Sequence, residues 1–201
     1  MTAIRSVCVY CGSGPGTDPA FVEAALAFGK ILAENQIRLV YGGGSLGLMG
    51  AVATSVLDHG GEVTGIIPEF LMSREKALRG THDMIVTHDM HERKRKMFDM
   101  ADAFVTLPGG VGTLEEVVEQ ITWMQLGRHK KPILLANING FWDPLCALFD
   151  HMKALDFIHS RANFEVLVTD KINDILPMLR DFAAKVPEEA KWMEPTAAER
   201  L

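Results

Sequence analysis

The feature that most constrains this chain is an alternation. Short, almost wholly apolar, β-rich runs take turns with longer stretches of helical period. The strand-like runs are SVCVYC (6–11), IRLVY (37–41), EVTGII (62–67), MIVTH (84–88), AFVTL (103–107), PILLANI (132–138) and FEVLVT (164–169). Helical periodicity lies near 18–35, 46–58, 90–101, 113–127, 142–155 and 171–184. Strands apolar on both sides are those of a parallel sheet covered by helices on both faces. Repeated β-α units with right-handed crossovers predict an α/β fold, a doubly wound, Rossmann-like parallel sheet flanked by helices. The length of 201 residues fits a single domain. Residues 1–185 are expected to form that domain and 186–201 a loosely held C-terminal tail.

In such sheets ligands sit beyond the carboxyl ends of the strands, so the loops after strands carry the argument. CGSGPGTDP (11–19) offers backbone donors and the hydroxyls of Ser13 and Thr17. YGGGSLGLMG (41–50) satisfies Gly-x-Gly-x-x-Gly with Gly42, Gly44 and Gly47. It follows the second strand rather than the first, and Pro68 replaces the acid expected at the end of the next strand, so a phosphate or ribose contact fits better than a full dinucleotide site. PGGVGTLEE (108–116) joins a buried strand to an amphipathic helix. Its glycines let several N–H groups face one point, and the helix start adds positive potential. Together they suit a phosphate, with Thr113 adding a hydroxyl. The two acids have another use open to them: Thr113-x-x-Glu116 also matches a capping box, and Glu115 would favour the helix dipole.

The helix MHERKRKMFDMA (90–101) narrows the choice. On a helical wheel Met90, Met97 and Ala101 form the buried stripe, with Phe98 at its edge. Arg93 and Lys94 flank that stripe, whereas Glu92, Arg95 and Lys96 face away. Two cations bordering a buried stripe need anionic partners, either a bound phosphate or the acids of the third glycine loop. Other motifs carry less. Cys8-x-x-Cys11 lies in a strand rather than at a helix start, against a redox pair, and His88-x-x-His91 has no evident third metal ligand. HKKP (129–132) marks neither lysine for Schiff-base chemistry. Trp123, off the main apolar face of its helix, would suit a subunit contact. A net charge of −6 argues against a nucleic-acid partner. No apolar run reaches membrane-spanning length, and three cysteines without a secretory leader suit a reduced cytoplasmic protein.

MHERK followed by PGGVGTLEE resembles the LOG proteins, the cytokinin riboside 5′-monophosphate phosphoribohydrolases long labelled lysine decarboxylase-like. The family motif Pro-Gly-Gly-x-Gly-Thr-x-x-Glu is matched throughout residues 108–116, and VYCGSGPG, YGGGSLGLMG and ITWMQLGRHKKP are similar to family text. The likeness spans roughly residues 5–180. One departure is Gly14, where the family pattern has a second serine. The resemblance implies a homodimer that hydrolyses the N-glycosidic bond of a nucleoside 5′-monophosphate such as AMP, without metal or organic cofactor. It implies Arg93 and Glu116 as the catalytic pair. Substrate would be bound by Glu75, Lys94, Gly109, Gly110, Val111, Gly112, Thr113, Leu114 and Glu115, with Ser13, Gly43 and Gly44 from the other loops. A general nucleoside-monophosphate nucleosidase without a cytokinin role and a non-catalytic nucleotide carrier are the alternatives.

Overall fold

A computed structural model describes residues 4–72, 83–158 and 165–186. Its frame is one seven-stranded, all-parallel sheet of order β4-β3-β2-β1-β5-β6-β7. The strands are β1 (Ser6–Tyr10), β2 (Arg38–Tyr41), β3 (Val63–Pro68), β4 (Asp83–Thr87), β5 (Ala103–Thr106), β6 (Ile133–Ala136) and β7 (Val166–Thr169). The helices are α1 (Pro19–Glu34), α2 (Gly47–Asp58), α3 (Met90–Asp99), α4 (Val111–Gln125), α5 (Asp143–Ala154) and α6 (Ile175–Lys185). Two apolar layers sandwich the sheet: α1, α2 and α6 pack on one face, and α3, α4 and α5 on the other. The doubly wound α/β architecture expected from the alternating pattern is therefore present. No helix among the described residues is long and apolar enough to cross a membrane.

The strand order reverses between β1 and β5, so the loops following these two strands diverge and leave a crevice at the sheet's carboxyl edge. Backbone bonds fix the loops there. Gly12 N–H donates to the Pro108 carbonyl (3.0 Å), and the Gly12 carbonyl accepts from Leu48 N–H (3.0 Å). The glycine loops after β1, β2 and β5 thus meet. Gly47 has φ +58°, and a Cβ there would strike the Ser13 backbone, so this contact requires glycine.

Element ends shift for local reasons. The sixth helical stretch begins as a 3-10 turn (Ile172–Asp174), and α6 starts at Ile175, because Pro177 fits a first turn where no N–H is required. The run 132–138 yields a strand only to Ala136. Asn137 then turns the chain, its side chain accepting from Trp142 N–H and donating to Asp143, both at 2.7 Å. Trp123 is half-buried against Phe98, edge to face at 5.1 Å, with the Arg128 guanidinium 5.7 Å from its ring. Its position off the main apolar face is thus accounted for inside its own chain. All but the first residue of the expected tail, 186–201, and most of the loop 68–83 lie outside the described residues.

His129, from the polar-looking HKKP, is buried against Phe98 and Phe104. Its Nε2 meets the Gln120 carbonyl at 3.1 Å and its Nδ1 accepts from Lys131 N–H at 3.1 Å, which selects the neutral Nε2–H tautomer. Burial is the main cause holding this imidazole down to about 4, opposed by the bond to Gln120 and reinforced by the Lys131 ammonium. An unfolded histidine protonates near 6.5. The contribution is therefore complete above pH 6.5 and is lost as pH falls towards 4, amounting to ~3 kcal/mol over that window. Chemical unfolding of wild type and His129→Asn at pH 7 and pH 4.5 should show a shallower acid loss in the variant; equal losses would exclude His129 as the cause.

Candidate active site

Residue by residue, the crevice is built around α3 and the start of α4. Asp89 caps α3 by accepting from Glu92 N–H (2.8 Å), while the Glu92 carboxylate accepts from His88 N–H (2.9 Å). The N-cap of α4 is not Thr113, as a Thr113–Glu116 capping box would require. Gly110 is the N-cap of α4, glycine being well tolerated there, so the helix begins before Thr113. The Gly110 cap has no side chain to occupy the first N–H groups of α4, and that helix end opens on the crevice.

Glu116 pairs with Arg93: Nη1 and Oε1 lie 3.5 Å apart, with side chains only 6% and 11% exposed. Arg93 Nε also donates to the Ile66 carbonyl at 3.1 Å, which fixes the guanidinium at the end of β3. Next along α3, Lys94 reaches Glu115 at 2.5 Å and Glu119 at 2.9 Å. Burial alone would lower the Lys94 ammonium's pKa, yet the two carboxylates together outweigh it and hold the group above its ordinary value. The acids of the glycine turn are thus matched to the two cations that the helical wheel turned inward. Glu119, which the sequence pattern did not single out, completes the set; its one available signal was its place one turn after Glu115.

A cleft of about 360 Å³ opens above this pair. Ser13, Gly110, Val111, Gly112, Thr113 and Glu115 line it together with Arg93 and Glu116. Cys11, Met49, Leu71 and Met90 supply an apolar part that sequence reasoning did not assign. A second cleft of about 310 Å³ shares Gly12, Ser13 and Gly110 with the first, and is bounded by Gly109, Phe21 and Phe141. The remaining candidates lie elsewhere. Lys94 sits behind Glu115 and outside the walls of both clefts. Leu114 turns outward. Gly43 and Gly44 are buried below the crevice, Gly43 at φ +80° against Ile67 and Met84. Glu75 lies outside the described residues.

Gly42, by contrast, is a steric requirement of the site, since a Cβ there would collide with Arg93 Nη2. Cys8 and Cys11 are buried thiols, and burial is the chief cause of raising Cys8 far above its ordinary range, as for an inert core thiol. Among the described residues no group of His, Cys, Asp and Glu is arranged to hold a metal ion.

A family model described as "possible lysine decarboxylase" matches residues 49–179. The rice cytokinin riboside 5′-monophosphate phosphoribohydrolase LOG is 45% identical over 94% of this chain and 78% of its own. A relative of the same enzyme name from Rhodococcoides fascians is 42% identical over 88% of this chain and 89% of its own. Among solved structures, the molybdenum cofactor carrier protein of Chlamydomonas reinhardtii superposes with a TM-score of 0.67 at 22% identity, covering 92% of this chain and all of that one. The molybdenum cofactor binding protein of Rippkaea orientalis gives 0.66 at 19% identity, over 91% of this chain and 99% of its own. These two likenesses concern the fold alone. The sequence matches, spanning nearly the whole chain, show that it belongs to the LOG family of cytokinin riboside 5′-monophosphate phosphoribohydrolases.

Proposed function

We propose that this chain hydrolyses the N-glycosidic bond of nucleoside 5′-monophosphates, cytokinin nucleotides included, releasing an adenine-type base and ribose 5-phosphate. The observation that carries this reading is the buried Arg93–Glu116 pair facing a cleft at the exposed start of α4. In the proposed complex the phosphate rests on the N–H groups of residues 111–113 with the hydroxyls of Thr113 and Ser13. That places the ribose towards Glu116. Glycosidic cleavage develops oxocarbenium character, which a carboxylate stabilises by charge while orienting the attacking water. Arg93, an arginine with donors only, acts through charge and hydrogen bonding and not as the acid that protonates the base. The reaction balances with water alone: nucleotide plus water gives base plus sugar phosphate. The curated relatives' names support the same reading.

Cytoplasmic residence and a homodimer belong to this proposal. Three free cysteines, two of them buried, support the former. For the latter, α4 presents Val111, Leu114 and Val118 to solvent on one side, continued by Leu126 just past its end. Such a stripe suits a second copy of the chain, and light scattering at assay concentration tests it.

The decisive assay is incubation with AMP and with isopentenyladenosine monophosphate, followed by chromatography for free base. Both nucleotides should yield base, while adenosine should be cleaved at a small fraction of the AMP rate, because the helix start and glycine turn act only on the phosphate. Equal kcat/KM for adenosine and AMP would overturn the phosphate-anchored reading. Release of base from AMP but not from the prenylated nucleotide would favour a general nucleosidase, and tight AMP binding without turnover would favour a carrier.

A further inference from the structure

On the face of the sheet that α4 covers lie buried polar groups that the reaction scheme does not use. Gln120 is 0% exposed, and neither its amide oxygen nor its amide nitrogen has a hydrogen-bond partner among the described residues. The same holds for Thr106 Oγ1 and for Glu119 Oε2. Gln120 and Glu116 are four residues apart on α4, so their side chains are neighbours on one helix face. Thr106 follows Phe104 by two residues on β5 and is the register partner of Tyr10, whose ring stacks on Phe104 at 5.9 Å; its hydroxyl therefore points into the layer that α4 covers.

A buried, unpaired amide costs on the order of 1–3 kcal/mol per polar group, whereas a methionine of the same length would pack there without that loss. Polarity kept at a position where it opposes stability is a mark of functional sites. Buried polar atoms of this kind are satisfied by internal water.

Building on the hydrolase reading, we propose that Gln120 is a positioning residue for the reaction: through internal water shared with Thr106 it fixes the rotamer of Glu116 against the sugar. Gln120 touches no substrate and contributes through the carboxylate one turn earlier. Misplacement of a reacting group by about 1 Å lowers rates by up to roughly 10²-fold, so loss of this support acts on kcat and leaves substrate binding in place.

The test uses the full chain with AMP as substrate. Gln120→Met is expected to melt at the same temperature as wild type or higher, to keep KM within about twofold, and to lose at least about 10-fold in kcat. Gln120→Asn, which restores an amide with room for one more water, should recover part of that loss. Thr106→Val removes the partner on the strand without changing shape. It should lower kcat in the same direction, and the double variant Thr106→Val/Gln120→Met should be less than additive. A purely structural role predicts a change in melting temperature with kcat intact. If wild type turns over AMP and either Gln120→Met or, should that variant not fold, Thr106→Val keeps kcat within twofold, the proposal is overturned and the hydrolase reading stands. A wild type that releases no base overturns both.

Discussion

Glu116→Gln should fold, retain AMP binding and lose about 10²–10³-fold in kcat, the usual effect of removing one group that stabilises transition-state charge. The amide is isosteric and keeps an oxygen facing Arg93, whose Nε stays tied to Ile66. What disappears is negative charge facing the sugar, and that charge matters only as the oxocarbenium ion develops. Leaving the buried guanidinium without its counter-ion costs some stability, on the order of 1–3 kcal/mol, so melting temperatures are measured alongside rates. Binding should persist because a carboxylate repels a phosphate more than an amide does. Glu115→Gln is the control. Its side chain is 52% exposed, and Lys94 keeps Glu119 as a partner, so kcat should fall far less. Near-normal kcat in Glu116→Gln, with a lowered melting temperature, would assign Glu116 to structure and remove it from the mechanism.

The second large effect should come from a single added methyl group. Gly42→Ala places a Cβ on Arg93 Nη2, and the Met49 sulfur is 3.1 Å away on another side. Gly42 is not among the glycines with positive φ, so alanine is compatible with its backbone. The flexible guanidinium is what yields, and it moves off Glu116. A displacement near 1 Å corresponds to a loss of roughly 10–10²-fold in kcat, with little change in folding. Steady-state kinetics and thermal melts decide it: kcat within twofold of wild type would show that the observed Arg93 position is not needed for turnover.

Much of this arrangement could be read from the chain because it depends on periodicity. Apolar runs announce strands buried on both faces, and the wheel of residues 90–101 places Arg93 and Lys94 at the margin of the buried stripe, where both are found at 5% and 7% exposure. Tertiary pairing was not legible. Lys94 could be assigned no particular partner, since its choice of Glu115 and Glu119 depends on how α3 lies against α4. Thr113-x-x-Glu116 satisfied a local pattern that glycine at position 110 pre-empted by starting the helix earlier. The burial of His129 had no signal in the sequence, where its neighbours are lysines, while its neighbours in space are Phe98 and Phe104. Gly43 and Gly44 looked as apt for a ligand as Gly42; only the position of Arg93 distinguishes them.

The central place of β1 bears on how the protein is made. Its partner β5 follows about a hundred residues later, and the junction is fastened by Asp102, which accepts from Arg5 N–H, Ser6 N–H and the Ser6 hydroxyl. At roughly 5–20 residues per second of synthesis, the first half-sheet, β2 and β3 with β1 at its margin, waits several seconds or more with the apolar edge SVCVY open. An open apolar edge is a template for pairing with other chains. Aggregation during expression should therefore be governed by how quickly residues 103–106 emerge. Slowing translation before that segment should lower soluble yield, whereas the same pause placed after β7, when every strand partner has emerged, should not.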